Sequence, residues 1–324
     1  MTLRTHLGRD DSALSIVRPA TMRRHLLPLF AAIACALTAG CTRIVFGIAN
    51  VNVDRSAVAS VEFDPAHGLS LDVHRPGRIG GTAPVVVFFY GGSWQSGTRQ
   101  DYRFVAQSLA KQGVLVIVPD YRKSPQVAFP EFIEDAARAV AWTKRHAAEY
   151  GGDPSRIFLV GHSAGAHIAA MLGTDGSFLR AVGVQPRELA GIVGLAGPYD
   201  FLPITDPKLK PVFGTEEQWP TSQPVNFVDG DEPPFLLLQG THDKIVWPRN
   251  AERLAGKLRA LHEPVEVRMI DGAGHFSLLL GLLRDASPVR RDVLDYVKAA
   301  SSNHAARYRD LRAGGFGIGL LESP

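Results

Sequence analysis

The chain has 324 residues, 45% of them hydrophobic and 21% charged, with a formal charge of +3. That length can bury a large core, and that composition excludes a disordered chain. The basic residues are scattered rather than interleaved with aromatics in runs, so no nucleic-acid footprint is present and no nucleic-acid partner is expected.

Residues 22–41 read MRRHLLPLFAAIACALTAGC. Arg23 and Arg24 give a positive front, and Leu26 to Leu37 form an apolar stretch too short to span a bilayer comfortably. The small residues Thr38, Ala39 and Gly40 stand directly before Cys41. The pattern resembles the lipobox of bacterial lipoproteins, in which cleavage precedes a cysteine whose thiol carries a diacylglycerol; Thr38 stands where Leu is usual. The resemblance implies lipidation of Cys41, a membrane partner through that anchor, and a periplasm-facing place in the cell envelope. Thr42, rather than Asp, would suit outer-membrane sorting. A plain signal peptide on a soluble periplasmic protein is the alternative. Asp10 and Asp11 do not belong in a signal, so translation is expected to begin at Met22. Cleavage before Cys41 would also remove Cys35 and leave one cysteine, which excludes an internal disulfide.

Residues 42–57 are read as a linker, and a regular pattern begins at about Val58. Val61 to Phe63 and Leu69 to His74 alternate apolar and polar, an opening antiparallel pair. Val85 to Phe89 is a continuous apolar run, expected as a strand covered on both faces. Further strands are expected at Val114 to Val118, Arg156 to Val160, Ala190 to Leu195, Phe235 to Gln239 and Val265 to Ile270. Helical spacing covers Tyr102 to Lys111, a long segment from Pro130 to Gly151, Ala166 to Leu172, Asn250 to Leu261 and Val289 to Ala300. Strands alternating with helices predict one α/β domain over 58–303, a mostly parallel sheet with helices on both faces. Residues 197–234 are Pro-rich and aperiodic, a candidate small lid, and 304–324 are expected to be a loose tail.

Gly161-His162-Ser163-Ala164-Gly165 lies between an expected strand and an expected helix. A G-x-S-x-G turn in that context holds its serine strained and exposed, with glycines where a Cβ would collide. Ser163 is therefore the candidate nucleophile. His275, in DGAGHF, follows the last expected strand and is the candidate base; Asp243, in GTHDKIV, follows the preceding strand and would orient it. Asp200 is the best rival acid. His162 and His167 are read as local hydrogen-bonding residues, and His242 as a residue of the mouth. Tyr90-Gly91-Gly92-Ser93-Trp94 follows the strand ending at Phe89, so the amides of Gly91 and Gly92, with that of Ala164, are the candidate oxyanion hole. Trp94 and Phe276 are candidate substrate-binding residues, with Trp219 and Trp247 near the same loops; ordinary packing is the alternative reading for each. Neither the two cysteines nor the eleven histidines show zinc-type spacing, so no metal is called for.

YGGSW, VPDYR (Val118 to Arg122), GGDPSRIFLVGHSAGAH (Gly151 to His167), GTHDKIV and GAGH together resemble the esterase branch of the α/β hydrolases. That branch includes HGGG-type carboxylesterases, feruloyl-esterase-like enzymes and kynurenine formamidases, and the resemblance runs from about Val58 to Ala300. It implies an eight-stranded sheet, the chain order Ser, Asp, His, no cofactor, and hydrolysis of small-molecule esters or formamides. The sequence departs from the family at Tyr90, where His is usual, and at Ser93, where a third Gly or an aromatic is usual. An arylformamidase is the alternative enzyme, although export would separate it from a cytoplasmic substrate. A non-catalytic ligand-binding lipoprotein is the alternative of another class.

Overall fold

Residues 1, 46–51, 53–54, 58–77 and 80–298 are described by the computed structural model. Cys35, Cys41, the signal-like segment and the tail lie outside them. The chain divides into two compact units, 1–48 and 49–324, and the sheet belongs to the second. Asn50, in the stretch expected as linker, donates to the Asp101 carbonyl at 2.8 Å and accepts from the Phe104 amide at 3.0 Å.

Eight strands form one sheet: β1 (Val58–Asp64), β2 (Leu69–His74), β3 (Ala83–Phe89), β4 (Leu115–Pro119), β5 (Gly152–His162), β6 (Gly191–Leu195), β7 (Phe235–Gly240) and β8 (Val265–Ile270). Their spatial order is β1-β2-β4-β3-β5-β6-β7-β8. β1 with β2 and β2 with β4 are antiparallel, and every other pair is parallel. From residue 58 onward the helices are α1 (Arg103–Ala110), α2 (Glu131–His146), α3 (Ala164–Thr174), α4 (Gly176–Ala181), α5 (Lys210–Phe213), α6 (Arg249–Ala260), α7 (His275–Gly281) and α8 (288–298).

The continuous apolar runs became the sheet's centre: Val85, Val86, Val87, Phe88 and Phe89 are all 0% exposed. Burial of successive residues, which point to opposite faces, means that both faces are covered. β8 is different. Its residues are intermediate or exposed throughout, as fits the edge of the sheet. In α2 a buried face of Phe132, Ile133, Ala136, Ala137 and Val140 meets the core. Glu131 and Glu134 stand at its amino end and Lys144, Arg145 and His146 at its carboxyl end, matching the helix dipole. The expected run to Gly151 is split by a 3-10 turn at Ala147–Tyr150, and Gly151 ends it at φ +84°. α3 is buried on every side, which its nearly all-apolar sequence allows.

β5 is longer than its expected Arg156–Val160 core at both ends. Gly152 pairs with Ala83 before a register shift, and His162 pairs with Leu195. Asp153, Pro154 and Ser155 fall within that register shift, before pairing resumes at Val85 and Ile157, and keep a local bond, the Ser155 amide donating to Asp153 Oδ1 at 2.9 Å. Segment 197–234 is irregular, with α5 and 3-10 turns at Trp219–Ser222 and Pro224–Asn226. No helix among the described residues is long and apolar enough to cross a membrane.

Three buried histidines make the fold acid-sensitive. Burial holds His74 and His167 down to about 4 and His162 to about 3, the last helped by the neighbouring His275. Folded histidines that stay neutral bind fewer protons than unfolded ones, so their contribution to stability is complete above about pH 6.5 and shrinks as pH falls toward 4. Each contributes a slope of up to about 1.4 kcal/mol per pH unit in that window. Thermal unfolding followed by circular dichroism should give a clearly lower Tm at pH 5.0 than at pH 7.5. Equal values would contradict these neutral buried rings.

Candidate active site

Ser163 sits between β5 and α3 at φ 57°, ψ −123°, a conformation that a non-glycine residue holds only when its surroundings enforce it. A Cβ on Gly161 would stand 2.2 Å from the Gly165 carbonyl oxygen, and one on Gly165 would stand 2.0 Å from that of Phe89. Glycine at both flanks therefore lets α3 turn back against β3 and β5. The Ser163 amide donates to the Leu195 carbonyl at 2.9 Å, tying the turn to β6.

His275 is the first residue of α7, reached from β8 through Gly272, whose φ is +66°. Its Nε2 lies 2.9 Å from Ser163 Oγ and its Nδ1 lies 2.8 Å from Asp243 Oδ2. Asp243 follows β7; its Oδ1 accepts the amides of Ile245 and Val246, each at 2.9 Å. Gln239 Nε2 donates to Asp243 Oδ2 at 3.3 Å and to the Val246 carbonyl at 3.0 Å. Burial alone would raise the Asp243 pKa, but the bonds from His275, the charge that ring can carry, and the two amides bring it below the usual carboxylate value. The result is a continuous Ser163–His275–Asp243 chain of hydrogen bonds, which can move a proton off a serine hydroxyl and stabilise the imidazolium that forms. Asp200, the rival acid, is paired with Arg253 Nη1 at 2.8 Å.

The Tyr90–Trp94 loop follows β3 and lies against the same turn. A Cβ on Gly91 would be 3.0 Å from Ser163 Cβ, and one on Gly92, at φ +132°, would be 2.2 Å from the Ser96 carbonyl oxygen. Ala164 opens α3, so its amide has no partner within the helix. The loops bearing Ser163 and Gly91 thus leave adjacent parallel strands on either side of the point where strand order reverses, the usual ligand crevice of an open α/β sheet.

The two expected substrate-binding residues part company. Phe276 is 43% exposed and packs edge-on to the His275 ring at 5.3 Å. Trp94 is only 3% exposed. It packs edge-on to Phe213 at 4.8 Å, stacks with Phe201 at 6.0 Å and donates through Nε1 to His167 Nδ1 at 3.3 Å. His167 Nε2 in turn donates to the Ser222 carbonyl at 2.7 Å, so this tautomer ties Trp94 to segment 197–234. Trp219 is buried and donates to the Gly214 carbonyl, whereas Trp247 is 58% exposed beneath the Arg249 guanidinium. His162 Nε2 donates to the His275 carbonyl at 3.0 Å. His242, beside the acid, is exposed.

Several site neighbours escaped the sequence. Gln239 is the polar residue of the otherwise apolar strand β7, and that was the available signal. Phe201 and Phe213 carried none, because segment 197–234 has no periodicity. Among the described residues, one group has metal-ligand-type atoms close together, Asp64, His67 and Asp135. Its carboxylates are engaged by Arg122 and Arg138.

This sheet, with a serine on the β5–α3 elbow and a histidine and a carboxylate on later loops, defines an α/β hydrolase. The chain belongs to the BD-FAE family, whose model matches residues 71–258. It is 32% identical over 64% of its length to the probable carboxylic ester hydrolase LipM of Mycobacterium tuberculosis, covering 52% of that protein. It is 29% identical over 65% of its length to the probable isoprenylcysteine alpha-carbonyl methylesterase ICMEL1 of Arabidopsis thaliana, covering 49% of it. The chain thus spans about half the length of these relatives. Its fold matches the apo form of Thermogutta terrifontis esterase 2 with a TM-score of 0.62 at 21% identity, over 78% of this chain and 96% of that one.

Proposed function

We propose that the protein is a serine carboxylesterase that hydrolyses small to medium carboxylic esters through an acyl-enzyme. The observation that carries this reading is the 2.9 Å and 2.8 Å pair of contacts linking Ser163, His275 and Asp243 in one line. Its relatives, named as ester hydrolases, support the bond type. His275 Nε2 takes the Ser163 proton as Oγ attacks the ester carbonyl. The oxyanion that forms is met by the amides of Gly91, Gly92 and Ala164. His275 then gives its proton to the departing alcohol, and the acyl-enzyme is cleared by water activated at the same nitrogen. Phe276 flanks the reacting groups, while Trp94, enclosed beneath segment 197–234, supports the pocket from behind.

The test is turnover of p-nitrophenyl acetate, butyrate and octanoate by the full chain, with Ser163→Ala alongside. Hydrolysis that vanishes in the variant supports the reading and ranks acyl length. A folded protein that neither hydrolyses these esters nor reacts with a fluorophosphonate overturns it.

We further propose that Cys41 carries a lipid that holds the enzyme to the cell envelope, each buried methylene contributing about 0.8 kcal/mol. Growth of a bacterial host with labelled palmitate should label the wild type and not Cys41→Ser. Equal labelling, or none in either, would rule out the anchor.

A further inference from the structure

We propose that Tyr102 and Tyr121 are positioning residues that aim the oxyanion-hole amides, an inference that rests on the esterase reading above. Tyr121 Oη donates to the Tyr90 carbonyl at 2.9 Å, and Tyr102 Oη donates to the Gly91 carbonyl at 3.3 Å. Those two carbonyls belong to the peptide units that carry the Gly91 and Gly92 amides. In a trans peptide the C=O and N–H point in opposite directions. Fixing each oxygen therefore fixes the direction of the amide hydrogen on the far side of the same plane. A bonded carbonyl also polarises its amide, which strengthens the bond that amide donates.

The clamp is built around Tyr90, one of the two residues that depart from the family pattern. The Tyr90 ring lies between those of Tyr102 and Tyr121, with centroids 5.4 Å and 4.7 Å away. Its own hydroxyl donates to Asp120 Oδ1 at 2.8 Å and accepts from Lys123 Nζ at 3.2 Å. Asp120 is in turn paired with Arg99, which also reaches Asp72 Oδ1 at 2.9 Å. All three tyrosines are at most 4% exposed. Burial raises the pKa of each clamping phenol above its usual value, so both hydroxyls remain protonated donors. The flanking Gly92 carbonyl is held by the amides of Gln95 and Ser96, each at 3.0 Å, so three successive carbonyls of the loop are engaged. Glycines 91 and 92 offer no side chain to restrain their peptide planes, which is why outside hydroxyls matter here.

Tyr102→Phe and Tyr121→Phe remove one oxygen each and keep the ring stack. In the full chain acting on p-nitrophenyl butyrate, each should lower kcat by about 10-fold, less than outright loss of an oxyanion donor, with KM changed by less than about twofold. The Ki of a trifluoromethyl ketone, whose serine adduct places an oxyanion in the same hole, should rise by the factor by which kcat falls. A residue that only packed would lower Tm without linking Ki to kcat. Unchanged kcat and Ki in either variant, or a kcat loss with unchanged Ki, overturns the clamp while wild-type turnover leaves the esterase reading intact. Absence of wild-type turnover overturns both. If one variant does not fold, the kcat and Ki of the other decide.

Discussion

Replacing Ser163 by alanine is expected to lower kcat on p-nitrophenyl butyrate by about a million-fold, leaving the residual of about 10³–10⁴-fold over the uncatalysed rate that an oxyanion hole and binding supply. The size follows from the site's construction. The whole elbow presents one oxygen to His275 Nε2, 2.9 Å away, and that oxygen is the one the variant removes. Alanine keeps a Cβ, so it inherits the strained φ of 57° and the turn neither relaxes nor gains strain. Tm should therefore stay close to that of the wild type, and reaction with a fluorophosphonate should be lost. Retention of a tenth of the turnover by a folded variant would mean that Ser163 is not the nucleophile.

Asp243→Asn is expected to cost about 10⁴-fold in kcat with little change in KM. The carboxylate accepts from His275 Nδ1, from two backbone amides and from Gln239. With so many donors converging, an asparagine would turn its oxygen toward the two amides and leave its NH2 facing Nδ1. The imidazole would then place its hydrogen on Nε2, the wrong tautomer to receive the serine proton. Asp200→Asn is the matched control: its carboxylate is engaged by Arg253, and its loss should leave kcat within about threefold, as for other changes away from the reacting groups. If the two variants behaved alike, the acid would have been misassigned.

Segment 197–234, despite its irregularity, packs on Trp94 of the Tyr90–Trp94 loop and on His167 of α3. Phe201 and Phe213 close over Trp94, and Ser222 receives the His167 bond. His167, on the helix that follows the elbow, joins this wall to α3.

Much of this protein was legible in its residues alone. Short continuous apolar runs rich in β-branched and aromatic residues, such as Val85 to Phe89, fit a strand covered on both faces. The glycines around Ser163 have one reason to be there, since the backbone oxygens of Gly165 and Phe89 leave no room for a Cβ. Local chemistry therefore located all eight strands and named Ser163, Asp243 and His275, which lie together in the fold.

The tertiary structure alone decided whatever depends on partners distant in sequence. It gave the order in which β4 precedes β3 and β5 comes after it, because strand pairing is chosen by packing among segments of similar pattern. It extended β5 back to Gly152, which pairs with Ala83 ahead of a register shift that takes up Asp153, Pro154 and Ser155. It enclosed Trp94, a candidate substrate-binding residue, because Phe201 and Phe213 arrive from an aperiodic segment to cover it. It paired Asp200 with Arg253, and it set the hydroxyls of Tyr102 and Tyr121 on the carbonyls of the Tyr90–Gly92 loop. Hydrogen bonds between residues 11 and 31 positions apart leave no periodicity in a sequence; they exist only once the sheet has brought their owners together.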